Sequence, residues 1–169
     1  MSKQQGVSIR TIQKNDVEAA QRFLLQNLKD LYNIDDDYPN NKDIWNIEEI
    51  YLNTASNTIL GAFDETGTIV GTIAVRPYDD RILVVKGRYV GKFTADLGRC
   101  YIEKNLRRKG IGSSLVQEIF QFCQEAGYEM IYLHTHKFLP GGFHFWQNQG
   151  FEITVEEDED ETVHMEKKL

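Results

Sequence analysis

Residues 106–115 read Leu-Arg-Arg-Lys-Gly-Ile-Gly-Ser-Ser-Leu, and they lie where an extended apolar run gives way to an amphipathic helical pattern. A helix N-terminus carries unpaired backbone N–H groups and about half a positive charge, and it therefore binds anions. Gly110 and Gly112 would let a phosphate approach the backbone closely. Three cations precede them. The stretch predicts a pyrophosphate-binding site at the start of a helix.

Two common phosphate-binding patterns do not fit this stretch. A P-loop requires Gly-x4-Gly-Lys-Ser/Thr, which the sequence lacks. The dinucleotide-binding pattern requires a third glycine where this chain has Leu115. That pattern also belongs to an early unit of a parallel sheet, whereas residues 106–115 follow apparent β-hairpins.

The composition is that of an ordinary globular chain. Its 169 residues are 41% hydrophobic and 27% charged, which predicts one domain over residues 1–169. The net charge of −7 argues against nucleic acid as a partner. Because no apolar run reaches the ~20 residues of a membrane span and no secretory signal is evident, we expect a cytoplasmic protein. Cys100 and Cys123 are then expected to be reduced.

Hydrophobic periodicity predicts a mixed sheet with helices on its faces. Asn15 and Glu18 indicate a capping box at the first helix. The six consecutive acids at 156–161 predict a solvated loop. The predicted strands cover 7–12, 58–63, 69–75, 82–85, 93–104, 130–136, 151–155 and 163–165, and the predicted helices cover 15–31, 44–52, 111–126 and 143–148.

Two motifs together point to a family. Arg107, Gly110 and Gly112 fill the pattern Arg/Gln-x-x-Gly-x-Gly/Ala, which with the preceding strand resembles the coenzyme A-binding motif of the GNAT acetyltransferases. Downstream, Phe145-Trp146-Gln147-Asn148-Gln149-Gly150-Phe151 resembles that family's Phe-Tyr-x-x-x-Gly-Phe segment. The resemblance implies an α/β fold of the α+β kind, with a mixed, mostly antiparallel sheet flanked by helices.

The resemblance also implies acetyl-CoA as co-substrate, with no metal expected. Backbone amides from the first arginine of the motif onward would hold the pyrophosphate, the free edge of the preceding strand would pair with pantetheine, and a residue of the last helix would lie near the thioester. The cofactor-binding residues implied are Cys100, Tyr101, Ile102, Arg107, Arg108, Lys109, Gly110, Ile111, Gly112, Ser113 and Trp146.

Amine acetylation requires a base and an oxyanion donor. An alkyl ammonium has a pKa near ~10.4 and is no nucleophile until it loses a proton. In the family this base is often an acid on the strand before the motif, and the matching position here is Asp96. Glu103 and a chain of water molecules are the alternatives. The backbone N–H of Ile102 is the predicted donor to the developing oxyanion.

The general acid is not identified by the sequence. Trp146 stands where the family often has tyrosine, and an indole N–H does not give up its proton near neutral pH. Leu139 replaces a frequent asparagine. His144 is an alternative proton shuttle. His134 and His136 share one strand face, but no third metal ligand is evident.

The sequence does not decide the acceptor. The acidic loop at 35–38 favours a cationic amine, whereas Arg99 favours an acid-bearing molecule. We expect an N-acetyltransferase that acts on a small-molecule amine, with a protein amine as a further possibility. The alternatives are a non-catalytic acyl-CoA-binding module and a phosphate-ligand-binding domain. A homodimer is possible because this kind of fold leaves a sheet edge open.

Overall fold

The computed structural model describes residues 3–4 and 6–169. Eight strands form one sheet in the order β1-β2-β3-β4-β5-β6-β8-β7. Neighbouring strands are antiparallel except for the parallel pair β5 and β6. The strands are β1 (Lys3–Gln4), β2 (Val7–Thr11), β3 (Thr58–Phe63), β4 (Ile69–Pro77), β5 (Thr94–Ile102), β6 (Met130–His136), β7 (Glu152–Glu157) and β8 (Thr162–Lys168).

Helices cover both faces of this sheet. One face carries α4, whose buried Leu115 and Ile119 pack with Leu97 and Ile131 of the sheet. On the other face, Leu24 of α1 belongs to a second apolar cluster. The predicted fold class is confirmed. The helices are α1 (Val17–Tyr32), α2 (Lys42–Trp45), α3 (Ile47–Tyr51), α4 (Ile111–Ala126) and α5 (Gly142–Asn148).

The parallel pair separates soon after it forms. Residues 94–96 of β5 pair with residues 130–132 of β6, and the register goes no further. Both strands continue, β5 to Ile102 and β6 to His136. A gap therefore opens in the middle of the sheet, and α4, which connects the two strands, begins beside it.

A β-bulge in β5 lies along this gap. Thr72 of β4 pairs with Tyr101 and Ala74 pairs with Gly98, so one residue of β4 faces two residues of β5. Arg99 has φ of 52°, and its carbonyl accepts a hydrogen bond of 2.8 Å from Thr72 Oγ1. The extra residue reverses which side chains face α4. Beyond the bulge, Cys100 packs on the α4 side.

Two local predictions are wrong. Residues 82–85 do not form a strand; Leu83–Val85 is a 3-10 helix that buries Val85 and leaves Leu83 exposed. Both edges of the neighbouring strand β5 are already paired over residues 94–96, so no strand edge is free there. The capping interaction before α1 also differs, because Gln13 N–H donates to the Asp16 carboxylate at 2.9 Å.

The acidic run is only partly a loop. β7 extends through Glu157, and the turn comprises residues 158–161. Glu156 pairs with Lys137 at 3.2 Å, and Glu157 contacts His164 at 2.7 Å. Two of the six acids therefore have strand positions and partners. Among the described residues, no helix is long and apolar enough to cross a membrane.

Candidate active site

A cavity of about 770 Å³ lies where β5 and β6 separate. Leu31 of α1 and Thr135 of β6 line it together with residues of α4, so it reaches from one face of the sheet toward the other. Sequence reasoning missed these two residues, because only the course of the gap brings them there. The cavity brings together the predicted residues Cys100, Tyr101, Ile102, Arg107, Arg108, Gly110, Gly112, Ser113 and Trp146.

The free edge of β5 forms one wall. Successive residues of an antiparallel strand direct their N–H groups to opposite sides. Since Glu103 N–H donates to the Val70 carbonyl at 2.8 Å, the N–H of Ile102 points away from β4 and toward the gap. The Ile102 carbonyl accepts a hydrogen bond from Arg107 Nε at 3.1 Å. This edge offers backbone groups to an extended ligand.

The N-terminus of α4 forms the adjoining wall. Gly110 caps the helix with φ of 88°, a conformation that side chains with a Cβ rarely adopt. Arg108, with φ of 62°, helps turn the chain from strand to helix. The first N–H groups of α4 have no acceptor within the helix. Together with Arg107 and Arg108, they make this end of the cavity positive.

Gly112 allows α4 and α5 to approach each other. A Cβ at this position would lie 3.2 Å from Cζ of Phe145, tighter than ordinary van der Waals contact. Phe145 itself lines the cavity. The second glycine of the motif is therefore explained by packing of α5 against the start of α4 as well as by ligand access.

Three predicted residues lie outside the cavity lining. Lys109 is exposed, and Ile111 is buried in the core beneath the helix start. Asp96 is buried and accepts a hydrogen bond of 2.6 Å from Arg81 Nη1. Burial raises the pKa of Asp96 although Arg81 opposes the shift. The proposed role of Asp96 as a base stays a prediction.

Trp146 lies at the boundary between the apolar core and the cavity. Its side chain is 7% exposed and contacts Phe145 and Phe151 edge to face. It also lines the cavity, as does His144. Trp146 thus presents an apolar surface where the family often has a proton donor.

Arg99 does not offer a free charge to an acidic acceptor. Its guanidinium donates to the Asp43 carboxylate at 2.6 and 2.9 Å and to the Asn40 carbonyl at 2.8 Å. Asp43 is 3% exposed and also accepts from Tyr51 Oη at 2.6 Å. This pairing neutralises Arg99, which removes the reason to expect an acid-bearing acceptor from this residue.

Cys100 is not a reactive thiol. Burial raises its pKa to about 12, so the thiol stays protonated near neutral pH. A thiol is nucleophilic only as the thiolate. Within residues 3–4 and 6–169, no group of three or more potential ligand side chains could hold a metal ion.

A sheet that opens at a parallel pair, beside a helix that begins with glycines, defines the acyl-coenzyme A N-acyltransferase class of fold. Residues 25–151 match the profile of the acetyltransferase (GNAT) family, and the chain belongs to that family. The resemblance seen in the sequence is confirmed.

Known proteins resemble the chain in sequence and in structure. An uncharacterised N-acetyltransferase of Schizosaccharomyces pombe is 29% identical over 57% of this chain and 52% of its own. The chain spans about half or less of the length of the curated relatives it matches.

Two solved structures share the fold. A GNAT-family acetyltransferase of Staphylococcus aureus has a TM-score of 0.76 and 24% identity, covering 96% of this chain and 99% of its own. A phosphinothricin acetyltransferase of Sinorhizobium meliloti, in complex with acetyl-CoA, has a TM-score of 0.74 and 16% identity, covering 97% and 89%.

Proposed function

We propose that this protein is an acetyl-CoA-dependent N-acetyltransferase that acetylates a primary amine of a small molecule. The observation that carries the proposal is the cavity itself, in which the open edge of β5 adjoins the positive N-terminus of α4. The open strand edge would pair with an extended pantetheine arm, and the helix N-terminus would bind a pyrophosphate. Family membership supports the assignment.

Different residues would bind the pyrophosphate and stabilise the developing negative charge. Backbone amides from Gly110 to Ser113, with Arg107 and Arg108, hold the pyrophosphate. The N–H of Ile102 donates to the thioester oxygen, where negative charge develops during attack. One proton of the amine passes to a base or to water, the amine nitrogen bonds to the carbonyl carbon, the carbon–sulfur bond breaks, and the thiolate leaves and takes up a proton. With a pKa near ~8.5, that thiol needs little help from an acid.

One observation favours a second candidate function. Trp146 occupies the position where a proton donor is frequent, and its side chain is packed into the core. A non-catalytic acyl-CoA-binding module would have the same cavity and the same apolar residue. The two functions differ in whether free thiol is released from acetyl-CoA when an amine is added.

Calorimetric titration with coenzyme A tests the binding site. We expect Gly110→Glu to abolish detectable binding, because it places bulk and negative charge at the helix N-terminus. Gly127→Glu is the matched control, since Gly127 has the same φ of 88° at the other end of α4 and open space around it. Equal binding by both variants would refute the assignment of the cavity.

Thiol release from acetyl-CoA with a panel of amines tests the reaction. We expect release with at least one small amine, and the product should carry an acetyl group on nitrogen by mass spectrometry. Tight binding of acetyl-CoA without release for any small amine or peptide would favour the binding module instead.

A further inference from the structure

Tyr101 directs its side chain to the face of the sheet opposite α4. Its strand neighbours Cys100 and Ile102 pack with the apolar cluster under α4, whereas Tyr101 packs with the cluster under α1. Tyr101 also lines the cavity, and so does Leu31 of α1. The cavity therefore extends between these two side chains to the α1 face of the sheet.

A groove along α1 meets the cavity on this face. It runs between α1 and the start of β4, and it shares Leu31 and Arg107 with the cavity. The groove gives the α1 face a path to solvent. The site proposed for the cofactor uses the edge of β5 and the N-terminus of α4. An acceptor that enters along the groove reaches the cavity at Leu31, on the face where Tyr101 lies.

Arg99 decides how the Tyr101 hydroxyl can form hydrogen bonds. The two residues lie two positions apart on β5, and the positive charge of Arg99 acts to lower the pKa of Tyr101. A guanidinium only donates hydrogen bonds, so the Tyr101 oxygen is the acceptor toward Arg99. Burial outweighs this charge and raises the pKa of Tyr101, so the hydroxyl keeps its proton. The hydroxyl is therefore a donor toward the cavity.

A hydroxyl that can only donate distinguishes amines by their other groups. An ammonium nitrogen has no lone pair, and a free amine needs its lone pair to attack the thioester. A carbonyl, ether or hydroxyl oxygen close to the amine would accept the proton of Tyr101. Because Asp43 neutralises Arg99 through two hydrogen bonds, a neutral oxygen is enough, and a carboxylate gains no added ion pair here.

We propose that Tyr101 determines acceptor specificity by donating a hydrogen bond to an oxygen atom close to the reacting amine. This inference rests on the proposed function and narrows its substrate class. The favoured acceptors are small primary amines that carry a neutral oxygen, such as amino amides, and plain alkyl amines and polyamines are poorer acceptors. Tyr101 transfers no proton in the reaction. Its effect falls on how firmly the acceptor is held.

Two amines of the same shape test this assignment. Glycinamide and isobutylamine have the same number of heavy atoms, and the first has an amide where the second has a branched alkyl group. We expect Tyr101→Phe to lower kcat/KM for glycinamide about fivefold to tenfold, which corresponds to one hydrogen bond, and to leave isobutylamine within about twofold. Each amine is compared between the two proteins, so its own pKa cancels.

Tyr128→Phe is the matched control. The Tyr128 hydroxyl donates to the Ser56 carbonyl, and Tyr128 does not line the cavity. This variant also loses one tyrosine oxygen, and we expect it to change kcat/KM for the two amines by the same factor. If Tyr101→Phe likewise affects both amines equally while thiol is still released, the inference is overturned and the proposed function stands.

Equilibrium binding separates recognition of the acceptor from a structural role of Tyr101. Phenylalanine keeps the ring, so we expect Tyr101→Phe to retain the Tm and the coenzyme A affinity of the wild type. Calorimetric titration of the coenzyme A complex with glycinamide should show weaker binding to Tyr101→Phe than to the wild type. Equal affinity would overturn the inference. If the wild type releases no thiol with any amine, the proposed function fails, and this titration alone decides whether Tyr101 selects an oxygen-bearing ligand.

Discussion

Asp43→Asn is the substitution whose effect the structure specifies most closely. Asp43 accepts two hydrogen bonds from Arg99 and one from Tyr51, and it is 3% exposed. The Arg99 side chain is 17% exposed. An asparagine keeps the size of the side chain but loses its charge, and its amide N–H₂ would face a guanidinium donor. The substitution leaves Arg99 as a buried cation without its counter-ion.

The expected cost follows from that burial. Removing one partner of a buried ion pair costs about 3–5 kcal/mol. For a chain of this size, each 1 kcal/mol lowers Tm by about 2–4 °C, so we expect a loss of roughly 6–20 °C. Glu48→Gln is the control, because Glu48 pairs with Lys14 at 3.5 Å with both side chains largely in water. We expect that variant to change stability by less than about 1 kcal/mol.

A double-mutant cycle in urea isolates the interaction. Arg99→Met alone should cost about as much as Asp43→Asn, and the double variant should cost clearly less than the sum. Because Arg99 lies in the bulge beside the cavity, the single variants should also weaken coenzyme A binding. Additive losses in the cycle would refute the pairing, and unchanged binding would refute the link between the pair and the bulge.

The acid dependence of stability has a definite sign. Burial alone would raise the pKa of Asp43, but the hydrogen bonds and charge of Arg99 outweigh it, and the pKa is lowered. The stabilisation is therefore present above the unfolded pKa near ~3.9 and is lost as pH falls through the lower folded pKa. Asp43→Asn should lack this part of the acid sensitivity.

Two more substitutions probe the site. Gly112→Val should displace Phe145 and cost about 1–3 kcal/mol of stability by overpacking, as measured by thermal unfolding. We also expect it to raise the dissociation constant of coenzyme A at least about tenfold, as measured by calorimetry. Unchanged binding would show that the helices are not in close contact there. Asp96→Asn should lower kcat less than about tenfold and match Arg81→Met, whereas a loss of about 100-fold in Asp96→Asn alone would make Asp96 the base.

The helix-start motif could be predicted because its signals are local. Arg107, Gly110 and Gly112 lie within six residues, and the helix that follows has a clear apolar stripe that ends at Gly127, as the structure shows. The strand before the motif could be predicted for the same reason, because its extended apolar pattern is also local. Local pattern was enough to predict the glycine-rich start of α4.

The contacts on the face of the sheet opposite α4 could not be predicted because they join distant parts of the chain. Asp43 and Arg99 are 56 positions apart, and Tyr132 and His164 are 32 apart. Nothing in the acid run distinguishes Glu157, which pairs with a buried histidine, from its neighbours in the turn. Tyr132 and His164 meet through the pairing of β6 with β8, and Arg99 reaches Asp43 because of the bulge in β5. Neither contact joins residues that are close in sequence.

The bulge also explains why β5 presents apolar side chains to one face of the sheet and a charged side chain to the other. Without the extra residue, strict alternation would continue from Ala95 and Leu97 and direct Arg99 into the apolar core beneath α4. With it, Cys100 and Ile102 face that core, while the charge of Arg99 meets Asp43 on the opposite face. The side of the gap proposed for the cofactor is therefore apolar, and the side proposed for the acceptor is charged. A single inserted residue accounts for both properties, because it reverses the order of the side chains and leaves the N–H of Ile102 directed into the gap.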